Sequence, residues 1–404
     1  MESELQVAID VGSRVHRVAV SDADGHVLDQ FDVHHTARGI DAFFSRITPL
    51  AHGTVAVAME GYNGWARPLD QRILAQGWTL YNVNNLKLAR YKEIFPAPAK
   101  SDNIDSLRML ELFRMRQSHH LARDVLQLVV AAPAENDKLK HLTRRRRQLV
   151  NDKVRLTARL VAALQALCPG LLALTGAVDN VWFLSFLTAR ADVRKLARLR
   201  GATLRGLPCI GKKYAALIQV WQADATFADD VEWTGPTAIS DARRLLALRR
   251  EIEDLERQIA AISVKSELAQ RIASIPGFGL VCSAELAGEI GDLARFSGET
   301  GLAVYLGMAP LTNSSGTFHG TKRPRQVNRH AKMAMMNAVA HHAKLVEESL
   351  AYYTKKRAEG KAHNQAIRCV GRQLVRVIWS MVKHGRDYQN APPARPEVPD
   401  IDSC

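Results

Sequence analysis

Three short strand-like runs at the N-terminus constrain the fold most. Leu5–Val11, Val15–Ser21 and His26–Val33 are rich in β-branched residues, and the turn signal Asp22-Ala-Asp-Gly25 separates the last two. Runs joined this tightly pair as an antiparallel meander. Ala37–Thr48 then reads as a helix, Thr54–Glu60 as a fourth strand, Gly64–Gln76 as a second helix and Thr79–Asn84 as a fifth strand. A proline-bearing loop, Phe95–Ser101, leads into a helix over Asp102–Gln117. The order is therefore three antiparallel strands followed by alternating helices and strands, β-β-β-α-β-α-β, then helix.

The chain has 404 residues, too many for one core of ordinary size, so two or three structural units are expected. Lys and Arg exceed Asp and Glu by 14, and the pI is about 9.7. That excess favours a polyanionic partner, since each cation placed on a phosphate releases condensed counterions. The cysteines, Cys168, Cys209, Cys282, Cys369 and Cys404, are scattered and form no CxxC pair. They point away from a disulfide framework or a zinc site and toward a reducing cytoplasm. The acidic N-terminus runs directly into a strand, so no signal peptide is expected. No apolar run reaches the ~18 residues of a membrane span.

The middle of the chain reads as helical. Leu139, Leu142, Leu149, Leu156, Leu160 and Leu167 recur at helical spacing, and Arg144, Arg145, Arg146 and Arg147 form a basic run offered to nucleic acid. Leu245, Leu248, Ile252, Leu255, Ile259 and Ile262 make an a/d seam. An intramolecular helical hairpin and a dimer-forming coiled coil satisfy that seam equally. Further on, Ile275-Pro-Gly277-Phe-Gly279 precedes a helix over Val281–Glu289 and looks like a helix-hairpin-helix turn. It suits either a phosphate seat at a helix start, through Gly277 and Gly279, or a plain interhelical turn. Leu207-Pro-Cys-Ile-Gly211, before Lys212, is a weaker echo. Beyond Gly385 the composition turns to Pro, Asp and Ala, as in a disordered tail.

Four acids stand out by position. Asp10 lies in the first strand, Glu60 ends the fourth, and Asp102 and Asp105 open the later helix three residues apart. The element order is that of the RNase H fold, which includes RuvC-like nucleases; there the first and fourth strands are neighbours and the late helix packs beside them. A carboxylate in a buried strand is costly unless a cation neutralises it. Hard oxygen ligands suit Mg2+ or Mn2+, and two such ions can clamp the attacking and leaving oxygens of a phosphodiester. Asp102 also suits a helix N-cap, and Asp105 the first turn of a helix dipole.

The last candidate is hydroxylic. Tyr305-Leu-Gly-Met-Ala-Pro310-Leu-Thr-Asn-Ser-Ser315-Gly316 is a polar turn after an apolar run, followed by Lys322, Arg323, Arg325, Arg329, His330 and Lys332. A serine among cations is placed to meet a DNA phosphate, and the cations would stabilise the extra charge of a phosphorane. His319 and His330 are candidates for proton transfer or for backbone contact.

These residues together resemble the DEDD transposases of the insertion sequence 110 family, the bridge-RNA-guided recombinases. The resemblance covers nearly the whole chain. It rests on Ala8-Ile-Asp10-Val-Gly, Met59-Glu60-Gly and Lys100-Ser-Asp102-Asn-Ile-Asp105 at one end. At the other it rests on Ile275-Pro-Gly277-Phe-Gly279, Gly307-Met-Ala-Pro310 and Ser314-Ser315-Gly316. It implies that Asp10, Glu60, Asp102 and Asp105 are a metal-binding tetrad and that the serine before glycine, Ser315, is the nucleophile, with Ser314 adjacent. It implies a RuvC-like domain over 1–133, a helical coiled-coil linker over 134–265, and a mostly α-helical transposase domain over 266–385, with 386–404 as tail. It also implies donor and target DNA as substrates, a structured guide RNA as partner, and dimers that assemble into tetramers. Recombination would pass through a covalent phosphoserine. The chain is longer than compact members of the family, with the extra length in the middle and at the tail. A metal-dependent RuvC-like junction or structure-specific nuclease is the rival reading, and a non-enzymatic nucleic-acid binder is a more distant one.

Overall fold

The computed structural model describes residues 5–62, 66–84, 88–89, 91, 102–118, 125–322, 324 and 327–389, without the side chains of 102–104 and 318. The chain divides into two compact units, Met1–Ala131 and Ala132–Cys404.

The first unit is a mixed sheet between helices. Its elements are β1 (Leu5–Val11), β2 (Val15–Asp22), β3 (Val27–His34), α1 (Ala37–Ile47), β4 (Val55–Glu60), α2 (Arg67–Ala75), β5 (Thr79–Val83), α3 (Asp102–Ser118) and β6 (Leu126–Leu128). The strand order is β3-β2-β1-β4-β5-β6. β1 pairs antiparallel with β2 and parallel with β4, β4 runs parallel to β5, and β6 closes the edge antiparallel. The five strands expected from sequence are present, and the short β6 is an addition. The proline loop 95–101 lies outside the described residues.

The two faces of this sheet differ in side-chain size. Odd positions of β1 and β4, such as Val7, Ile9, Val57 and Met59, join Phe43, Phe44 and Ile47 of α1 and Leu69 and Ile73 of α2 in one core. Even positions are alanines: Ala8, Ala56 and Ala58, with Ala19 of β2, lie under Met109, Leu112 and Phe113 of α3. Small side chains let α3 sit close to β1 and β2, which it packs against.

The second unit is helical. α4 (Ala134–Leu167) leads through α5 (Gly170–Ala173), α6 (Val181–Leu187), a 3-10 turn Val193–Arg198, α7 (Gly201–Arg205) and α8 (Lys212–Ala223) to the long α9 (Val231–Ser263). Then come α10 (Glu267–Ala273), α11 (Leu280–Ile290), α12 (Glu299–Tyr305), the strands β7 (Leu311–Ser315) and β8 (Phe318–Lys322), α13 (Arg329–Leu345), α14 (Glu347–Ala358) and α15 (His363–Lys383). α4 and α9 pack antiparallel: Leu149 meets Ile252 and Leu255, while Leu156 and Leu160 share a core with Leu245. The seam that left two partners open is therefore filled within the chain.

The two helix-hairpin-helix-like turns are copies of one another. Cys209 and Gly277 occupy equivalent places and both adopt positive φ, +61° and +85°. Ile210 and Phe278, next in line, are both buried. Gly211 and Gly279 then cap α8 and α11. Residues through Tyr388 remain packed, with its amide donating to Ser274 Oγ at 2.9 Å, and 390–404 lie outside the described residues. Among the described residues no helix is long and apolar enough to cross a membrane.

Candidate active site

Strand alternation puts Asp10 and Glu60 on the alanine face. Asp10 follows Ala8 by two residues and Glu60 follows Ala58 by two, so both side chains emerge on the side covered by α3. The pairing of β1 with β4 runs to Ile9 and Met59, and each acid is the next residue of its strand. Both carboxylates thus stand at the carboxyl ends of adjacent parallel strands, the edge where open α/β sheets hold ligands. Both are half-buried. Gly61, at φ +75°, turns the chain away directly after Glu60.

α3 brings a third acid to the same face. Asp105 is 6% exposed and lies one turn before Met109, on the stripe that continues through Leu112 and Phe113 toward the sheet. Its Oδ1 is 3.8 Å from Arg108 Nη1. Asp102 is the first residue of α3, three positions earlier, and its side chain lies outside the described residues. The donor set is entirely oxygen, on neighbouring elements and one face, which fits a hard divalent cation. Among the described residues, one trio brings its ligand atoms within 4.8 Å of one another, namely Asp22, Asp24 and His26 in the largely exposed β2–β3 turn; Asp10, Glu60 and Asp105 are more widely set.

In the second unit, the expected polar turn is a β-hairpin. β7 and β8 pair antiparallel with Ser314 opposite His319 and Ser315 opposite Phe318. Gly316 and Thr317 form the two-residue turn, with Gly316 at φ +55°, as such hairpins require. All of β7 is exposed. Alternation separates the two serines. Ser314 shares a face with Thr312 and His319, whereas Ser315 shares the other with Asn313 and, farther along, Lys322.

The base of this hairpin is held by residues that sequence reading passed over. The amide of Asn328 donates to the Tyr305 carbonyl at 2.9 Å, closing the excursion between α12 and α13. Asn328 Nδ2 donates to Glu289 Oε2 and to Tyr305 Oη, both at 2.6 Å, while its Oδ1 caps α13. Glu289 is fully buried and receives Arg144 Nε and Nη2 at 2.6 and 2.8 Å. Burial alone would raise the Glu289 pKa, but the bonds from Arg144 and Asn328 outweigh it and hold the carboxyl below its ordinary range. A glutamate at the end of a helix after Pro-Gly-Phe-Gly gives no local sign of such a role.

The basic run Arg144–Arg147 is ion-paired within its own unit. Arg144 and Arg147, three apart on one face of α4, form two-pronged pairs with Glu289 and Glu285 of α11. Arg145 and Arg146 pair with Glu251 and Glu256 of α9. The charge of this run, offered to nucleic acid by the sequence, is thus matched by carboxylates of the same unit. Gly277 has a packing duty. A Cβ there would lie 2.4 Å from the His342 amide nitrogen, so this glycine permits α13 to approach. Gly279 is exposed at the start of α11 with open space around it. Of the other cations, Lys322 and Arg329 are exposed, while Lys332 lays its stem over Gly307; Arg323 and Arg325 lie outside the described residues. His330 is partly buried at the start of α13, with Nδ1 unbonded, and His319 is exposed on β8.

A family described as Transposase, the DEDD group of IS110, matches residues 7–169, and the Transposase IS116/IS110/IS902 family matches residues 269–354. The chain is 27% identical to an uncharacterized 44.8 kDa protein of insertion element IS116 from Streptomyces clavuligerus, over 96% of each chain. It is 26% identical to a 42 kDa protein of IS900 from Mycobacterium paratuberculosis, over 97% of this chain and 98% of that one. A 43.6 kDa protein of IS110 from Streptomyces coelicolor is 27% identical over 97% of both. The chain belongs to the IS110 family of insertion-element transposases, enzymes that act on DNA.

Proposed function

We propose that this transposase exchanges DNA strands through a covalent phosphoserine, with Asp10, Glu60, Asp102 and Asp105 as a metal-binding tetrad and Ser315 as nucleophile. The observation that carries the reading is the placement of Asp10, Glu60 and Asp105 on the alanine face of one sheet. That sheet is read as RNase H-like, within a metal-binding domain over 1–133. Residues 134–265 serve as a helical linker, and 266–385 as the domain that carries the serine. The exposed hairpin gives the hydroxyl access to a duplex that no enclosed pocket would admit.

In the chemical step Ser315 Oγ forms a bond to phosphorus and gives up its proton. The P–O bond to one deoxyribose breaks, and the departing oxygen takes up a proton. A strand hydroxyl then reverses the step on a new partner. Bound Mg2+ or Mn2+ would supply positive charge against the phosphorane. Lys322 shares the Ser315 face of the hairpin and adds charge there. Donor and target DNA are the substrates, a structured guide RNA selects them by pairing, and dimers assembling into tetramers supply the site.

The test is to incubate the protein with element-end DNA and Mg2+ and look for a protein–DNA adduct that survives denaturation. Ser315→Ala should abolish it and Ser314→Ala should leave it in place. If Ser315→Ala still cuts DNA at the wild-type rate, the hydrolytic nuclease reading replaces this one.

A further inference from the structure

The helices inserted between α4 and α9 carry an unmatched concentration of positive charge. Arg190, Arg194, Lys195, Arg198, Arg200 and Arg205 precede the first hairpin turn, and Lys212 and Lys213 follow it; Asp192 is the one acid in this stretch. All eight cations are exposed. Among the described residues one carboxylate contact occurs, Asp192 with Arg194 at 3.4 Å. In α4, by contrast, four successive arginines each have a glutamate.

These cations stand on the outer side of elements that share one core. The apolar residues between them, Val193, Leu196, Leu199, Leu204 and Ile210, all turn into the same core. Gln222 of α8 donates to the carbonyls of Leu196 and Leu199, tying that helix to the 3-10 turn. A Cβ on Gly201 would lie 2.9 Å from Gln219 Nε2, so α7 rests on α8 as well. Lys212 and Lys213 open α8, whose amide dipoles already make that end positive. Two lysines there work against helix stability, so the arrangement answers to an anion outside the chain. Pro208, Cys209 and Gly211 of the turn are exposed too, whereas the equivalent Gly277 is packed against α13.

We infer that these cations make a second nucleic-acid surface, one that grips the phosphate backbone of duplex DNA outside the reacting site. Duplex DNA is the favoured occupant because the chain is a transposase and because the surface offers charge and backbone amides rather than pockets for bases. The claim does not depend on the phosphoserine chemistry.

The test compares two variants of the full chain with equal charge change. One is Lys195→Gln/Arg198→Gln/Lys213→Gln; the other, at exposed positions elsewhere, is Lys265→Gln/Lys355→Gln/Lys383→Gln. Binding of a short duplex DNA of arbitrary sequence is measured by fluorescence anisotropy across a salt series, with circular dichroism to verify folding. The first variant should lose about ten-fold or more in affinity, and its salt slope should drop by about 0.9 for each phosphate contact removed. The second should stay within about two-fold of wild type. Equal losses in the two variants would overturn the inference, as would a loss confined to an RNA hairpin with duplex DNA binding unchanged. Ser315 does not enter this measurement, so its outcome stands apart from that of the adduct assay.

Discussion

Gly277 and Gly279, two residues apart in the same turn, have different duties. Gly277 combines positive φ with a neighbour 2.4 Å from where a Cβ would sit, so Gly277→Ala should cost about 3 kcal/mol in chemical denaturation. Gly279 has extended backbone and open space, and Gly279→Ala should cost under about 1 kcal/mol. A similar contrast holds for the acids. Asp10→Asn and Glu60→Gln keep the shape of the strand ends but remove charge that a cation would need. Each should lower strand cleavage by at least about 100-fold without lowering stability. A variant that cleaves DNA normally would remove Asp10 or Glu60 from the proposed tetrad. Alternation made these two acids legible in the sequence, because an acid inside an apolar strand stands out. Asn328 and Tyr305 did not stand out, since what defines them is a hydrogen bond to a distant buried carboxylate.

The contact of α4 with α11 rests on charge in an apolar setting. Gly288 lets α11 come so close that a Cβ would touch the Lys140 backbone, and Arg144 reaches Glu289 beside that crossing. Arg144→Ala would strand a buried carboxylate, and a loss of about 3 kcal/mol is expected, near the low end for a broken buried pair because Asn328 still donates. The pH dependence follows from the lowered Glu289 pKa. Stability from this group is complete above the unfolded glutamate value of about 4.3 and fades as pH falls through the lower folded value. Thermal melts between pH 5 and 3 (about the range that brackets it) should therefore show a steeper decline for wild type than for Glu289→Gln. The leucine periodicity of α4 and the a/d seam of α9 revealed both helices but not their partner, because such a pattern specifies a buried face and nothing beyond it. The role of Arg144–Arg147 was hidden for a related reason: Glu285 and Glu289 lie on a helix far along the chain. β7 and β8 were hidden by composition, since Thr, Asn, Ser and Gly are turn formers and their strand state comes from pairing across Gly316-Thr317.

Two units with separate cores should unfold as two cooperative blocks. Scanning calorimetry should resolve two transitions, with Arg144→Ala lowering the temperature of one alone. A single transition displaced as a whole would show that the units unfold together. At this scale the sequence was most legible where elements are long and periodic, and least so in the inserted helices, whose short turns carry no strong period. The hairpin adds a constraint of its own. A two-stranded ribbon exposed along β7 has no packed face on that strand to fix its register, which rests on the Gly316-Thr317 turn and the Asn328 bond at its base. Should one strand slide past the other by a single step, every side chain would swap sides, and a lone reacting group would be carried out of reach. With Ser314 and Ser315 in tandem, the same slide would exchange the two hydroxyls, so the pairing that keeps Ser315 on the side of Lys322 is what tells the two serines apart.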